Sequence, residues 1–134
     1  MFSIEGEPCT RTNGCTIPHG TANALYLPYV IDSNRNAESS RYADIARMLG
    51  LNGTTDDELI DSLTDLLRGI NKSLNLPLTL KEFVVKKTGF EKHLNQMAAR
   101  AVEDPCTPSN SREVSVEDMK KIYIAAYNGN KINF

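Results

Sequence analysis

The chain has 134 residues, enough for one domain with a hydrophobic core and too few for two domains of ordinary size. Its composition, 40% apolar and 24% charged, is typical of a globular protein, and its net charge of −2 argues against a nucleic-acid-binding surface. No apolar run approaches the ~20 residues that span a bilayer, and the N-terminus lacks the positively charged start of a signal peptide. Three cysteines at irregular spacing do not suggest a disulfide framework, so we expect a cytoplasmic protein in a reducing environment.

Residues 1–16 are the least regular part of the sequence, because two glycines, a proline and an asparagine interrupt any helical pattern. We expect an irregular leader there. A zinc site is an alternative interpretation, with Cys9, Cys15 and His19 as ligands and a fourth from Cys106 or an acid such as Glu5. This spacing matches no common zinc motif.

His19 is the most chemically distinctive side chain near the N-terminus. Pro18 before it restricts the backbone, and Gly20 after it leads into an apolar run. The pattern predicts an imidazole at a loop-to-helix junction. Such a histidine is either a structural residue near a helix start or a metal ligand with a preset orientation.

The remaining apolar pattern has helical periodicity almost throughout. It predicts an all-α domain of six or seven helices with no convincing strand. Their expected spans are roughly 21–31 with Pro28 inside, 38–49 ending at Gly50, 57–74, a short one from Thr79 to about 88, 90–103, and 115–127.

Helix starts and stops support these spans. Thr55 with Glu58, Thr79 with Glu82, and Ser115 with Asp118 have the spacing of a capping box, and Gly129 follows the last helix as a stop signal. Residues 32–36 read as a turn, and residues 104–112 as a long polar loop.

Two further side chains have open roles. Cys106 lies in the polar loop and is either a reactive thiol of lowered pKa or a thiol with no chemical role. His93, flanked by polar residues, is interpreted as a solvated surface histidine.

Several motifs in the same order resemble the iron-dependent alcohol dehydrogenase family. They are Pro18–Ala24, Arg41–Gly50, Leu76–Glu82 and Asp104–Arg112, and the ending Ala126–Phe134 is most similar to the alcohol dehydrogenase part of bifunctional aldehyde–alcohol dehydrogenases. The resemblance spans residues 16–134. It implies that residues 17–134 are the helical C-terminal domain of such an enzyme, with the nucleotide-binding domain absent from this chain.

The resemblance also implies the chemistry of the intact enzyme. A divalent metal, iron or zinc, polarises the substrate oxygen while hydride passes to or from NAD(P), and an aspartate and three histidines hold the metal. His19 matches the last of these histidines, and Asn23 and Cys106 match positions that line the cleft. No residue of this chain is assigned a catalytic role.

The chain also departs from the family pattern. Glu5 stands where the family has another ligand histidine, Cys9 stands where it has a further histidine, and Ser111 replaces the usual proline. One histidine cannot hold a catalytic metal, so the chain alone is expected to be an inactive fragment with neither metal nor NAD(P) bound.

Three origins fit this pattern: a truncated gene, a split enzyme whose N-terminal nucleotide-binding half is a separate partner, or a fragment with another use. The alternative to an enzyme fragment is a non-enzymatic helical remnant or oligomerisation module, because an apolar face that has lost its domain favours self-association. Neither nucleic acid nor a membrane is expected as a partner.

Overall fold

A computed structural model of the chain describes residues 2–3, 16–83 and 86–132. Over these ranges it has five α-helices, one 3-10 turn and one antiparallel pair of two-residue strands, in which Phe2 pairs with Ile17. In chain order the elements are β1 (Phe2–Ser3), β2 (Thr16–Ile17), α1 (His19–Asn34), α2 (Ser39–Met48), α3 (Asp56–Ser73), α4 (Lys87–Glu103), the 3-10 turn (Thr107–Ser109) and α5 (Val116–Asn128).

The all-α class is confirmed, and the predicted count of six or seven helices is too high for the described ranges. Of the predicted leader, residues 4–15 lie outside the described residues, and so do Glu5, Cys9 and Cys15 of the alternative zinc site. Among the helices of the described ranges, none combines the length and the apolar character needed to cross a membrane.

Helix α1 is longer than predicted at both ends. It passes through Pro28 without ending, and it continues to Asn34 where a turn was expected. Asp32, Ser33 and Asn34 are buried in its last turn. These residue types are common in turns, but here two arginines bind the Asp32 carboxylate and keep it inside the fold.

The short helix predicted from Thr79 to about residue 88 is wrong. The cap hydrogen bonds form, since the Glu82 N–H donates to the Thr79 hydroxyl at 3.1 Å, but residues 80–83 are only a turn. The Leu80 N–H donates to the Ala126 carbonyl at 3.0 Å, so this segment is anchored to α5 instead of extending as a helix. The next helix, α4, begins at Lys87, three residues earlier than expected.

The predicted starts of α3 and α5 and the predicted stop of α5 are confirmed. Thr55 with Glu58 and Ser115 with Asp118 form complete capping boxes at the two helix starts. Gly129 ends α5 in the left-handed conformation, with φ of 80°. A side chain there would be strained, and its Cβ would come 3.0 Å from the Thr79 methyl group.

Two hydrophobic clusters form the core. One joins the first turns of α1 to α4 and α5, and the other joins the end of α1 to α2 and α3. The first includes Leu25, Tyr29, Phe90, Ala98, Ile122, Tyr123 and Ala126; the second includes Ile31, Ala43, Ala46, Leu59, Ile60 and Leu63. Because α1 contributes to both clusters, its packing fixes the positions of its two ends relative to the other helices.

Candidate functional site

His19 is the first residue of α1 and is exposed. Pro18 precedes it as the N-cap residue, and its carbonyl accepts from the Ala22 N–H at 2.9 Å. The Asn23 amide nitrogen lies 3.1 Å from His19 Nε2, as residues four apart on one helix face can do. The structure therefore brings His19 and Asn23 together at the start of α1.

A metal site needs more donors than this pair supplies. Within residues 2–3, 16–83 and 86–132, no three histidine, cysteine, aspartate or glutamate side chains converge on a point that would suit a metal ion. Catalytic zinc sites, for comparison, use three protein ligands and an open position. The described part of the chain does not fit a complete metal centre, and the assignment of His19 as a ligand stays a prediction.

A cleft of about 550 Å³ opens beside this helix start, between α1, α4, α5 and the segment that joins α4 to α5. Its floor is mostly apolar and its rim is polar. Asn23 and Cys106 both line it. That this is the cleft implied by the family resemblance stays a prediction. The floor includes Tyr26, Val30, Met97, Val114, Met119 and Ile122, and the rim includes His93, Gln96, Arg100 and Asp104.

Two tyrosines meet at the bottom of the cleft. The rings of Tyr26 and Tyr123 stand edge to face, with their centroids 5.7 Å apart. Burial raises the pKa of Tyr26 far above its ordinary value, with a further rise from the nearby Tyr123, and burial raises the pKa of Tyr123 to about 12. Both hydroxyls are therefore protonated at neutral pH, and they can donate hydrogen bonds but cannot act as bases.

Cys106 lies in what we call the cleft loop, residues 104–112, and is exposed. Its N–H donates to the Asp104 carboxylate at 2.8 Å, and its carbonyl accepts from the Ser109 hydroxyl at 2.6 Å. The Thr107 hydroxyl donates to the Ala101 carbonyl of α4 at 2.5 Å. These bonds hold the thiol-bearing turn against the end of α4.

The interpretation of His93 as a solvated surface residue is wrong. Its side chain is half-buried, its Nδ1 lies 2.8 Å from the Gly89 carbonyl, and it lines the cleft. Its polar neighbours in the sequence concealed this. The helical period did contain the signal, because His93 precedes the core residue Met97 by four positions and so shares its face.

A family model, individual relatives and a solved structure match this chain. A sequence model described as the Fe-containing alcohol dehydrogenase family, C-terminal, matches residues 10–127. The match begins inside the predicted leader, so the boundary at residue 16 stays a prediction.

Individual relatives are longer than this chain. It is 43% identical over 118 residues to an NADPH-dependent butanol dehydrogenase of Clostridium saccharobutylicum, covering 88% of this chain and 30% of that protein. It is 30% identical over 130 residues to a bifunctional aldehyde-alcohol dehydrogenase of Escherichia coli, covering 84% of this chain and 15% of that protein. The crystal structure of a 1,3-propanediol oxidoreductase superposes with a TM-score of 0.74 at 28% identity, over 83% of this chain and 28% of that one.

Proposed function

We propose, since this chain belongs to the C-terminal part of the Fe-containing alcohol dehydrogenase family, that it forms the helical wall of a cleft where an alcohol and an aldehyde interconvert. The observation that carries this proposal is the 550 Å³ cleft lined by Asn23 and Cys106. Asn23 contacts His19, so the cleft opens next to the histidine that matches a family ligand position.

Each part of the cleft has a role in this proposal. His19 offers one imidazole nitrogen to the metal. The Asn23 amide nitrogen lies 3.1 Å from Nε2, so Asn23 orients the metal-bound ring only once its amide turns and its oxygen accepts the other ring N–H. The apolar floor holds the carbon chain of the substrate and excludes water from it. The metal, when bound, supplies Lewis-acid polarisation of the substrate oxygen.

Nucleotide binding and the remaining metal ligands are proposed to come from outside residues 17–134. The chain spans 30% of the length of the butanol dehydrogenase, so most of that relative has no counterpart here. We therefore expect turnover only when an N-terminal nucleotide-binding half is joined to this chain or added to it.

A chimera tests the proposal. Residues 10–127 replace the matching segment of the C. saccharobutylicum butanol dehydrogenase, and NADPH-linked turnover and bound metal are measured. The chimera should hold metal and turn over. His19→Ala should lower both by at least about tenfold, since even residues that only orient a metal ligand contribute that much.

The matched control is His93→Ala, which removes the other histidine of the chain. It should keep the metal and alter mainly KM, because His93 lines the cleft away from the first turn of α1. A folded chimera without metal or turnover would contradict the proposal, and so would a His19→Ala chimera that keeps its metal.

A non-enzymatic module that associates with its own copies stays a second proposal. Its support is a set of large apolar side chains near the end of α2, where Met48 is 87% and Leu49 56% exposed. Sedimentation velocity on the purified chain would measure such association directly.

A further inference from the structure

The cleft loop, residues 104–112, bridges the two sides of the cleft. Helices α1 and α4 both pack on α5, and the cleft lies between them. The loop is fastened to α4 by the hydrogen bond from Thr107 to Ala101. Its other fastening is to the last turn of α1, which lies across the cleft.

The fastening to α1 is a reciprocal amide pair. The Asn34 amide nitrogen donates to the Asn110 oxygen at 2.7 Å, and the Asn110 amide nitrogen donates back to the Asn34 oxygen at 2.9 Å. The same Asn110 nitrogen lies 2.7 Å from the Arg112 carbonyl, which orients its amide. Asn34 is 4% exposed, so little water is available to replace these bonds.

Arg112 strengthens the same junction. Its guanidinium donates to the Ser33 carbonyl at 2.9 Å. Carbonyls in the last turn of a helix lack an intrahelical partner and carry the negative end of the helix dipole, so a cation is favoured there. The loop is thus held to α1 at two adjacent residues, Ser33 and Asn34.

We propose that Asn34 and Asn110 are positioning residues that set the opening of the cleft beside Cys106 and so limit the size of the molecule that enters. Both side chains line the cleft, and alanine at either position removes both bonds of the pair, because each amide donates one of them and accepts the other. Selection among alcohols by this opening rests on the proposed function. The effect of the two asparagines on the width of the opening does not rest on the proposed function. This effect can be measured on this chain alone.

Cys106 itself is exposed, so alkylation of a cysteine placed inside the cleft, at the half-buried Met119, reports the opening. The full chain carrying Met119→Cys is treated with iodoacetamide or with the bulkier N-benzyl iodoacetamide, which react by the same chemistry, and all variants are compared in this background. Modification is followed on the tryptic peptide that ends at Lys120 and contains residue 119 but none of the three native cysteines. The ratio of bulky to small rates cancels the intrinsic reactivity of the thiol.

Asn110→Ala should raise this ratio by about tenfold or more, because each lost amide hydrogen bond favours loop opening by roughly fivefold. Asn34→Asp keeps the bond that Asn110 donates and loses the other, so its rise should be smaller. Asn34→Ala with Asn110→Ala should give no more than Asn110→Ala alone, because the single change already removes every bond of the pair. The control Asn95→Ala, at an exposed position of α4, should leave the ratio unchanged.

A purely structural role predicts a different result. In that case the variants lower the melting temperature while the ratio stays at its wild-type value, and this result would overturn the proposal. Asn110→Ala is the decisive variant if Asn34→Ala does not fold, because Asn110 is half-buried in a loop and Asn34 is buried.

The chimera described above provides the second readout. The same variants should shift kcat/KM towards longer alcohols relative to short ones. A chimera without turnover would count against the proposed function, whereas the alkylation ratio would still decide the positioning role.

Discussion

At the scale of single residues, one backbone carbonyl explains how a proline is accommodated inside α1. Pro28 has no N–H, so the Ala24 carbonyl loses its partner within the helix. The Asn71 side chain on α3 donates to this carbonyl at 2.7 Å, and Asn71 is 6% exposed. A partly buried carbonyl is thereby satisfied by a buried side chain from another helix.

We predict that Asn71→Ala lowers the free energy of unfolding by about 1–3 kcal/mol, because it leaves that partly buried carbonyl without a protein donor. In a Pro28→Ala background, which restores the N–H at residue 28, the same change should cost less. Urea titrations followed by far-UV circular dichroism would measure all four proteins. Equal costs in the two backgrounds would refute the explanation.

Single residues also show where sequence patterns stop being informative. The sequence around Pro28 predicts a kinked or shortened helix, because it shows only the local effect of the proline on its own helix. The compensation by Asn71 is 47 residues away, and no spacing rule connects the two positions. Asn34 likewise read as a turn residue, since its partner Asn110 lies 76 residues further on.

At the scale of helices, α3 and α5 were predictable because their start signals are local. Each capping box is contained within four residues, and both form as the pattern indicates. Two first-turn carboxylates, those of Glu58 and Asp118, have lowered pKa values. The Thr54 hydroxyl lowers the pKa of Glu58, with help from the Thr54 and Thr55 N–H groups, and the Ser115 hydroxyl lowers the pKa of Asp118.

These shifts predict a loss of stability in acid. A carboxyl whose pKa is lower in the folded state stabilises the fold above its ordinary pKa, here 4.5 for Glu58 and 3.8 for Asp118, and loses that contribution as the pH falls. Urea midpoints should therefore drop between neutral pH and about pH 3.

Ser115→Ala removes the main cause of the Asp118 shift and should make this pH dependence shallower. It should also cost about 1 kcal/mol at neutral pH as a lost N-cap. Ser111→Ala, an exposed serine of the cleft loop, is the matched control. A Ser115→Ala variant with an unchanged pH profile would contradict this account.

At the scale of the whole molecule, an ion network joins the two hydrophobic clusters. The fully buried Asp32 carboxylate binds Arg35 at 2.9 Å and Arg68 at 3.1 Å, and Arg35 continues to Asp61 at 2.7 Å. Asp61 also pairs with Lys131 after α5, at 3.3 Å. The Arg68 guanidinium lies over the ring of Tyr29, a residue of the first cluster, while Ile31 beside Asp32 belongs to the second.

We predict that Asp32→Asn lowers the free energy of unfolding by about 1–3 kcal/mol, because it removes the buried carboxylate that two half-buried guanidinium groups share. The exposed Asp65, 3.7 Å from Arg68, is the control, and Asp65→Asn should cost less than about 1 kcal/mol.

Hydrogen exchange would show whether this loss reaches both clusters. Amides of Leu63 in the second cluster and of Ile122 in the first should both exchange faster in Asp32→Asn. Faster exchange at Leu63 alone would mean that the network stabilises one cluster and does not join the two.

Only part of the candidate site could be predicted from the sequence. The helical class followed from the apolar periodicity, and the assignment of Asn23 and Cys106 to the family's cleft stays a prediction. The cleft itself did not follow from any motif, because its two sides, α1 and α4, meet through α5 and through a loop bound to the far end of α1. The burial of His93 and the pairing of Tyr26 with Tyr123 depend on that same packing.

The amide pair of Asn34 and Asn110 has a consequence for recombination between related genes. Any crossover that falls between these two codons takes one half of the pair from each parent. All of α2, α3 and α4 is encoded within that interval, so it is a large target for exchange. A recombinant whose parents differ at either position would keep its helices and core while losing the fastening of the cleft loop, and crossovers outside the interval would inherit the pair intact.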